Sequence, residues 1–203
     1  MPRTQTSAEL ELVDEDSRRT QILDAAMDCF SQLGISKTSV QDIARMAGLS
    51  RGTVYRYFDD REVLINAAIE YGANRYYLDA AEAMAKKQTL AEQAGAMAEV
   101  NAKTLLEHRM RNRLMADDAE LMRHIIADSD GTVRRTTQFL IPYVQAAKLR
   151  GEVAPNLDVA AASEWLARMI NSFLTVQKSP NFDMSKPRAI GRFVARFAVT
   201  GLR

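Results

Sequence analysis

The sequence predicts an all-α protein, and three observations predict it. Glycine (9) and proline (5) are sparse in 203 residues, while Ala, Leu, Met, Arg and Glu, all good helix formers, recur. Apolar residues return at three- and four-residue spacing in segment after segment. The stretches between these stripes carry helix start and stop residues, with no alternating strand pattern, internal repeat or low-complexity block. The chain is 47% hydrophobic and 26% charged, which suits one globular unit or a small domain joined to a larger one. No apolar run approaches the roughly 20 residues that span a membrane. The N-terminus is polar and acidic, without the pattern of a secretion signal. Cys29 is the only cysteine, so an internal disulfide is excluded and a reducing cytoplasm is the expected setting.

The helices are justified in order. Residues 1–15 read as a disordered acidic arm, with Arg3 against Glu9, Glu11, Asp14 and Glu15. Asp16 or Ser17 caps a first helix whose stripe is Ile22, Leu23, Ala26, Met27, Phe30 and Leu33. Cys29 sits beside that stripe as packing, and Gly34 ends the helix. Ser39 with Asp42 three residues on is a capping-box start for the second helix. Val40, Ile43, Ala44 and Ala47 form its inner face. Gly48 permits a positive φ in the tight turn that follows, and Leu49 is the apolar plug of that turn. Ser50 caps a third helix that Val54 and Phe58 anchor. Asp59 or Asp60 caps a long fourth helix carrying Val63, Leu64, Ala67, Ala68 and Tyr71.

Boundaries are weaker beyond that point. Thr89 starts a helix to about His108, a broken segment covers 109–116, and Asp117 or Asp118 starts another helix through Ile126. Residues 129–131 read as a turn. A helix over 132–150 holds Pro142 in its interior, where a kink is expected, and Gly151 closes it. Asp158 caps a helix to about Val176. Ser185 begins the last one, with Pro187 tolerated in its first turn. The total is about nine helices.

Residues 38–61, TSVQDIARMAGLSRGTVYRYFDDR, carry the most chemistry. Two short helices joined by a Gly-containing turn, the second with a polar, arginine- and tyrosine-bearing face, match what a DNA major groove receives. Gly52 and Thr53 let a backbone approach closely, and the Thr53 methyl can meet a thymine methyl. Arg51 can pair with guanine O6 and N7. Tyr55 and Tyr57 have polar tips suited to phosphate oxygens, Lys37 and Arg61 flank the unit as backbone clamps, and Ser39 and Ser50 sit at helix starts facing the same duplex. The competing reading is a generic helical hairpin with a solvated face. Net charge is only +1, but residues 17–58 are locally basic, with Arg18, Arg19, Lys37, Arg45, Arg51 and Arg56 against Asp24, Asp28 and Asp42. The acidic arm before them is either a solvated tail or a modulator of DNA affinity.

The block resembles the N-terminal DNA-binding domain of the TetR family of transcriptional regulators. The matching features are ILDAAMDCFSQLG, TSVQDIARMAG and LSRGTVYRYFDDREVL, over about residues 17–65. Two positions depart from the usual pattern: Arg61 replaces a lysine and Tyr57 a histidine. Both keep a phosphate-contacting capability, with the contact geometry left open. The resemblance implies an all-α homodimer that binds double-stranded DNA through three N-terminal helices (domain 16–62, helix-turn-helix 39–58). It also implies a larger C-terminal helical domain, 63–203, that dimerises and binds a small effector. Release of a repressor from its operator, transmitted through the fourth helix, would be the response.

The last two helices support dimerisation on their own residues. Leu166, Ile170 and Phe173 on one, and Ile190, Phe193, Val194 and Phe197 on the other, form stripes wider than one core contact needs. Packing within one chain is the competing reading. Candidate effector-pocket residues are Tyr77, Met97, Met122, Phe139, Tyr143, Trp165, Met169 and Phe173, each equally serviceable as ordinary core, which points to a partly apolar effector. Tyr76 and Met110 belong to the same set, and Asn101 and Glu99 are among the polar groups that could orient a ligand. The basic run from Lys103 to Arg113 reads as a surface with local ion pairs. Two histidines, one cysteine and no HxxxH, CxxC, GxSxG or Walker pattern leave no basis for an enzyme, a cofactor or a metal site. The rival readings are a TetR-like activator or effector-independent regulator, and a helical enzyme or interaction module that does not touch DNA.

Overall fold

A computed structural model of the chain describes residues 7–111, 129–176 and 178–202. Among the described residues there are eight α-helices: α1 Ser7–Leu33, α2 Val40–Met46, α3 Arg51–Tyr57, α4 Arg61–Ala85, α5 Leu90–Arg111, α6 Ser129–Leu149, α7 Val159–Thr175 and α8 Pro187–Phe197. A 3-10 turn, Thr200–Leu202, follows them, and the described residues include no strand. The helix expected over 117–126 lies outside the described residues.

Three boundaries differ from expectation. The first helix begins at Ser7, so most of the stretch expected to be a disordered arm is helical. Its Ala, Glu and Leu residues are strong helix formers, and propensity outweighs the acidity that argued for disorder. Residues 129–131 are the first turn of α6 rather than a separate turn, with Asp130 placed where the helix dipole favours an acid. The fifth helix runs on to Arg111, past the break expected at 109.

The chain divides into two compact units, one ending at Ala73 and the next starting at Asn74, so the division falls inside α4 rather than before it. The reason is visible in the first core. Leu64, Ile65 and Ala68 of α4 are buried with Ile22, Ala26, Phe30, Ile43, Val54 and Phe58, so three turns of α4 belong to the N-terminal unit. Val63, expected inside, is 44% exposed. Cys29 is buried in this core, and burial, followed by nearby Asp42, pushes its thiol up, away from reactivity.

The second unit has its own core, in which Met84, Met97, Leu140, Val144, Leu166, Ile170, Ile190 and Val194 are fully or almost fully buried. Pro142 stands within α6 on an exposed position. Helices α5 and α8 touch backbone to backbone: a Cβ on Gly95 would lie 2.6 Å from the Gly191 carbonyl oxygen. Leu202 closes the unit by accepting the Ala154 amide at 2.8 Å.

Candidate functional site

Helices α2 and α3 are each seven residues long, too short to be stable alone, so their ends and anchors decide their geometry. The Ser39 hydroxyl donates to Asp42 at 2.6 Å and accepts the Asp42 amide at 3.2 Å, while the Ser39 amide donates back to the carboxylate at 3.0 Å. This is a complete capping box. The Ser39 side chain and then its backbone hold the Asp42 carboxyl below the usual range, with Arg45 adding a 2.6 Å ion pair.

Helix α2 ends on a two-bond glycine turn. The Gly48 amide donates to Arg45 O at 3.2 Å and the Leu49 amide to Ala44 O at 2.9 Å, with Gly48 at φ +66°. That is a Schellman arrangement, which a residue with a Cβ adopts only under strain. Leu49 packs against the first core as the plug of the turn. Ser50 then caps α3 by accepting the Thr53 amide at 3.0 Å. Two further bonds fix the unit from α1: Gln21 Nε2 donates to Ala47 O at 2.8 Å, and the Tyr71 hydroxyl meets Asp24 at 2.9 Å.

Val54 (1% exposed) and Phe58 (2%) hold α3 to the core, so the remaining positions form its outer face. Arg51, Gly52 and Tyr55 are exposed and Thr53 is partly so. The Arg51 guanidinium stands 5.3 Å from the Tyr55 ring centroid and donates to the Tyr55 hydroxyl at 3.3 Å. The pair is pre-ordered: a cation over a ring at an exposed site contributes about 0.5–1 kcal/mol, and one arm of the fork is occupied while the rest stays available. A Cβ at Gly52 would meet nothing nearer than Ser50 Oγ at 3.7 Å. Nothing in this chain therefore requires a glycine there, although glycine weakens a helix.

Lys37 and Ser39 are exposed in the α1–α2 connection. Tyr57 is divided: its ring packs against the first core, with the Arg56 guanidinium 5.9 Å from its centroid. Arg61 departs furthest from expectation. Its guanidinium donates to Ile35 O at 2.6 Å and to Thr38 O at 3.1 Å, tying the start of α4 to the α1–α2 connection. Two backbone carbonyls take up donors of the group expected to grip phosphate, on a residue that stays partly exposed. Sequence spacing showed no sign of this, because the partners lie 23 and 26 residues away.

The dimer residues separate into two groups. Leu166, Ile170, Ile190 and Val194 are at most 2% exposed and belong to the chain's own core, which corrects their assignment to an intermolecular face. Phe173 and Phe193 are half-buried and meet edge to face at 6.4 Å, and Phe193 continues to Phe197 at 5.1 Å. The open apolar positions are Trp165 (54% exposed), Val176 (63%) and Phe197 (50%). Trp165, Met169 and Ser172 recur at helical spacing on one side of α7, and Val176 follows just past its end.

The effector-pocket residues separate as well. Tyr77, Phe139 and Tyr143 come together, with ring centroids 5.1 and 5.5 Å apart. Met97 is closed in the core of the second unit, and Met169 packs half-buried on the same core. Trp165 is exposed and Phe173 belongs to the Phe193 cluster, so neither joins the aromatic row. Met122 lies outside the described residues. Sequence reasoning missed Thr136 and Asn171, which hydrogen-bond to each other at 3.2 Å beside Tyr77. Two polar residues on otherwise apolar helix stripes are the signal that could have found them. Lys103 pairs with Glu107 at 3.9 Å, in keeping with a surface of local ion pairs. No group of three or more potential metal ligands occurs among the described residues, and no helix there is long and apolar enough to cross a membrane.

Comparison with known proteins agrees with this geometry. Residues 22–68, which contain α2, α3 and their anchors, match the pattern described as "Bacterial regulatory proteins, tetR family". The regulator AcrR of Shigella flexneri is 46% identical over 48 residues, 24% of this chain and 22% of AcrR. The repressor KstR2 of Rhodococcus jostii is 38% identical over 52 residues, 26% of each chain. The matched region thus spans about a quarter of the length of these relatives, which are named as transcriptional regulators rather than enzymes. A TetR-family regulator from Pectobacterium atrosepticum superposes over 98% of this chain and 97% of its own, with a TM-score of 0.67 at 21% identity. That likeness extends the shared all-helical fold beyond the matched block. The family match therefore applies to the N-terminal block, residues 22–68, which is that of the TetR family of bacterial transcriptional regulators.

Proposed function

We propose that the protein is a homodimeric repressor that binds a pseudo-palindromic DNA operator through α3 and leaves it when a small molecule binds the second unit. The observation that carries this reading is the outer face of α3. Arg51, Gly52, Thr53 and Tyr55 are presented together on a helix held by a cap at one end and two buried anchors. In this reading Arg51, Gly52 and Thr53 face base edges. Lys37, Ser39, Ser50, Tyr55 and Tyr57 face the phosphate backbone. Arg61 acts one step back, by holding the connection that carries Lys37 and Ser39. Two copies of α3 would enter successive major grooves about 34–36 Å apart, or somewhat more.

Dimerisation is assigned to the open stripe of α7, namely Trp165, Met169 and Ser172, with Val176 just past its end and Phe193 and Phe197 of α8. The exposed aromatic rings there are the residue type that interface centres favour. The ligand must bind the form that does not hold DNA more tightly than the form that does, or it shifts nothing.

Selection of bound fragments from host genomic DNA tests the reading. Binding should weaken steeply as salt rises, because phosphate contacts release counterions. Arg51→Ala should cost about 1–3 kcal/mol at the preferred site and relax base preference there. No retained fragment at low salt would reject DNA binding, and an unchanged preference would reject the role of Arg51. Sedimentation as a monomer at micromolar concentration would reject the dimer.

A further inference from the structure

The rings of Tyr76, Tyr77, Phe139 and Tyr143 form an unbroken row within the second unit, with successive centroids 5.1, 5.1 and 5.5 Å apart. All four pack against the second core, yet each residue is only partly covered. The rings are tilted to one another by 60°, 38° and 41°, so the row offers an apolar wall of mixed ring faces and edges.

The polar groups along the row differ in how far they are satisfied. The Thr136 hydroxyl donates to Thr132 O at 2.9 Å, so it accepts from the Tyr77 hydroxyl at 3.0 Å and from the Asn171 amide at 3.2 Å. The Thr136 and Tyr77 hydroxyl protons both have acceptors. Tyr76 stands apart. Among the described residues its hydroxyl oxygen is buried without a hydrogen bond of good geometry, and Asn101 is the polar side chain that lies near it. A buried phenol without an acceptor is costly, and native cores rarely retain one without a reason.

The charge around Tyr76 narrows what could satisfy it. Burial first, then Tyr77, pushes its hydroxyl far above the ordinary phenol range. Among the described residues its electrostatic neighbours are Tyr77 and Asn101, neither of them charged, while Arg135 acts on the Tyr77 hydroxyl. A ligand carboxylate or ammonium at this point would be desolvated without a counter-charge.

We propose that the second unit takes an uncharged, ring-bearing ligand that stacks on this aromatic row and accepts a hydrogen bond from the Tyr76 hydroxyl. The proposal rests on the effector reading above and gives that effector its chemistry: a planar apolar body with a carbonyl-type acceptor and no net charge.

Three nearly isosteric probes separate the alternatives: 2-acetylnaphthalene, 2-naphthoate and 2-ethylnaphthalene. Each is titrated calorimetrically into the full chain at pH 8. The ketone should bind about tenfold or more tightly than the other two, the worth of one buried hydrogen bond. Tyr76→Phe should bring the ketone's affinity down to that of the ethyl compound, whereas Tyr143→Phe should keep the ratio between the two. Naphthoate binding as tightly as the ketone, or a ketone preference that survives Tyr76→Phe, would overturn the proposal. Genomic fragment selection on the same preparation keeps the two readings apart. DNA retained by a protein that binds none of the probes overturns this ligand class alone. A ketone preference without DNA retention supports the ligand and overturns the DNA-binding reading.

Discussion

Helices α3 and α7 are both amphipathic, and they use their two sides in opposite ways. Helix α3 buries Val54 and uses polar side chains for everything else it presents. Helix α7 buries Leu166 and Ile170 and then presents a second apolar stripe, with Trp165, and Val176 just past its end, open to solvent. The first pattern suits a polar, charged partner, and the second a partner like itself. The contrast shows that an apolar stripe too wide for one contact is two stripes, and only packing reveals which residues belong to which.

The largest expected effect tests that division directly on adjacent residues. Leu166→Ala removes a fully buried side chain and should lower stability by about 2–5 kcal/mol, read as a reduced urea midpoint. Trp165→Ala, one position away and 54% exposed, should leave the unfolding of the monomer nearly unchanged. It should raise the dimer dissociation constant instead, by an amount equivalent to about 2 kcal/mol if Trp165 is a central contact. Equal losses of monomer stability in the two variants would erase the distinction between the stripes.

Much of the N-terminal unit was legible because its determinants are local. Ser39 with Asp42, Gly48, Ser50 and the spacing of Val54 and Phe58 each specify a cap, a turn or an anchor within a few residues, and each is found as expected. Thr89, Asp158 and Gly151 are equally local signals and are found where they were read, with Glu92 completing the cap at Thr89. What escaped was long-range. The Arg61 carbonyl contacts span 23 and 26 residues, and the Thr136–Asn171 bond spans 35. The start of α1 escaped for another reason: charge argued for disorder while Ala, Glu and Leu argued for helix, and pattern alone did not weigh one against the other.

Arg61 is the next test, because it sets positioning against direct contact. Hydrogen bonds from a charged donor to partly buried carbonyls are worth roughly 1.5–3 kcal/mol. Arg61→Ala should therefore lower the stability of the N-terminal unit by about that amount, with Arg61→Lys intermediate because lysine lacks the fork that reaches both oxygens. The slope of log affinity for DNA against log salt should stay at its wild-type value in material that is fully folded. A slope shallower by about 1, with stability unchanged, would mean that the guanidinium contacts phosphate after all.

Gly52 sharpens the comparison with the smallest expected effect and the clearest sign. A glycine inside an exposed helix costs about 0.5–1 kcal/mol relative to alanine. At Gly52 an added Cβ meets only Ser50 Oγ, at 3.7 Å, and the backbone lies in an ordinary helix. Gly52→Ala should thus stabilise the free protein by about 0.5–1 kcal/mol while weakening binding to the preferred DNA fragment. The two measurements must move in opposite directions for the α3 face to be what it is read as here. A residue that is unfavourable to its own helix and unneeded by its own core makes physical sense only if a partner's surface comes close enough to exclude a methyl group. Should Gly52→Ala stabilise the fold and leave DNA binding untouched, the closest approach of the duplex would have to shift away from the start of α3, toward Thr53 and Tyr55.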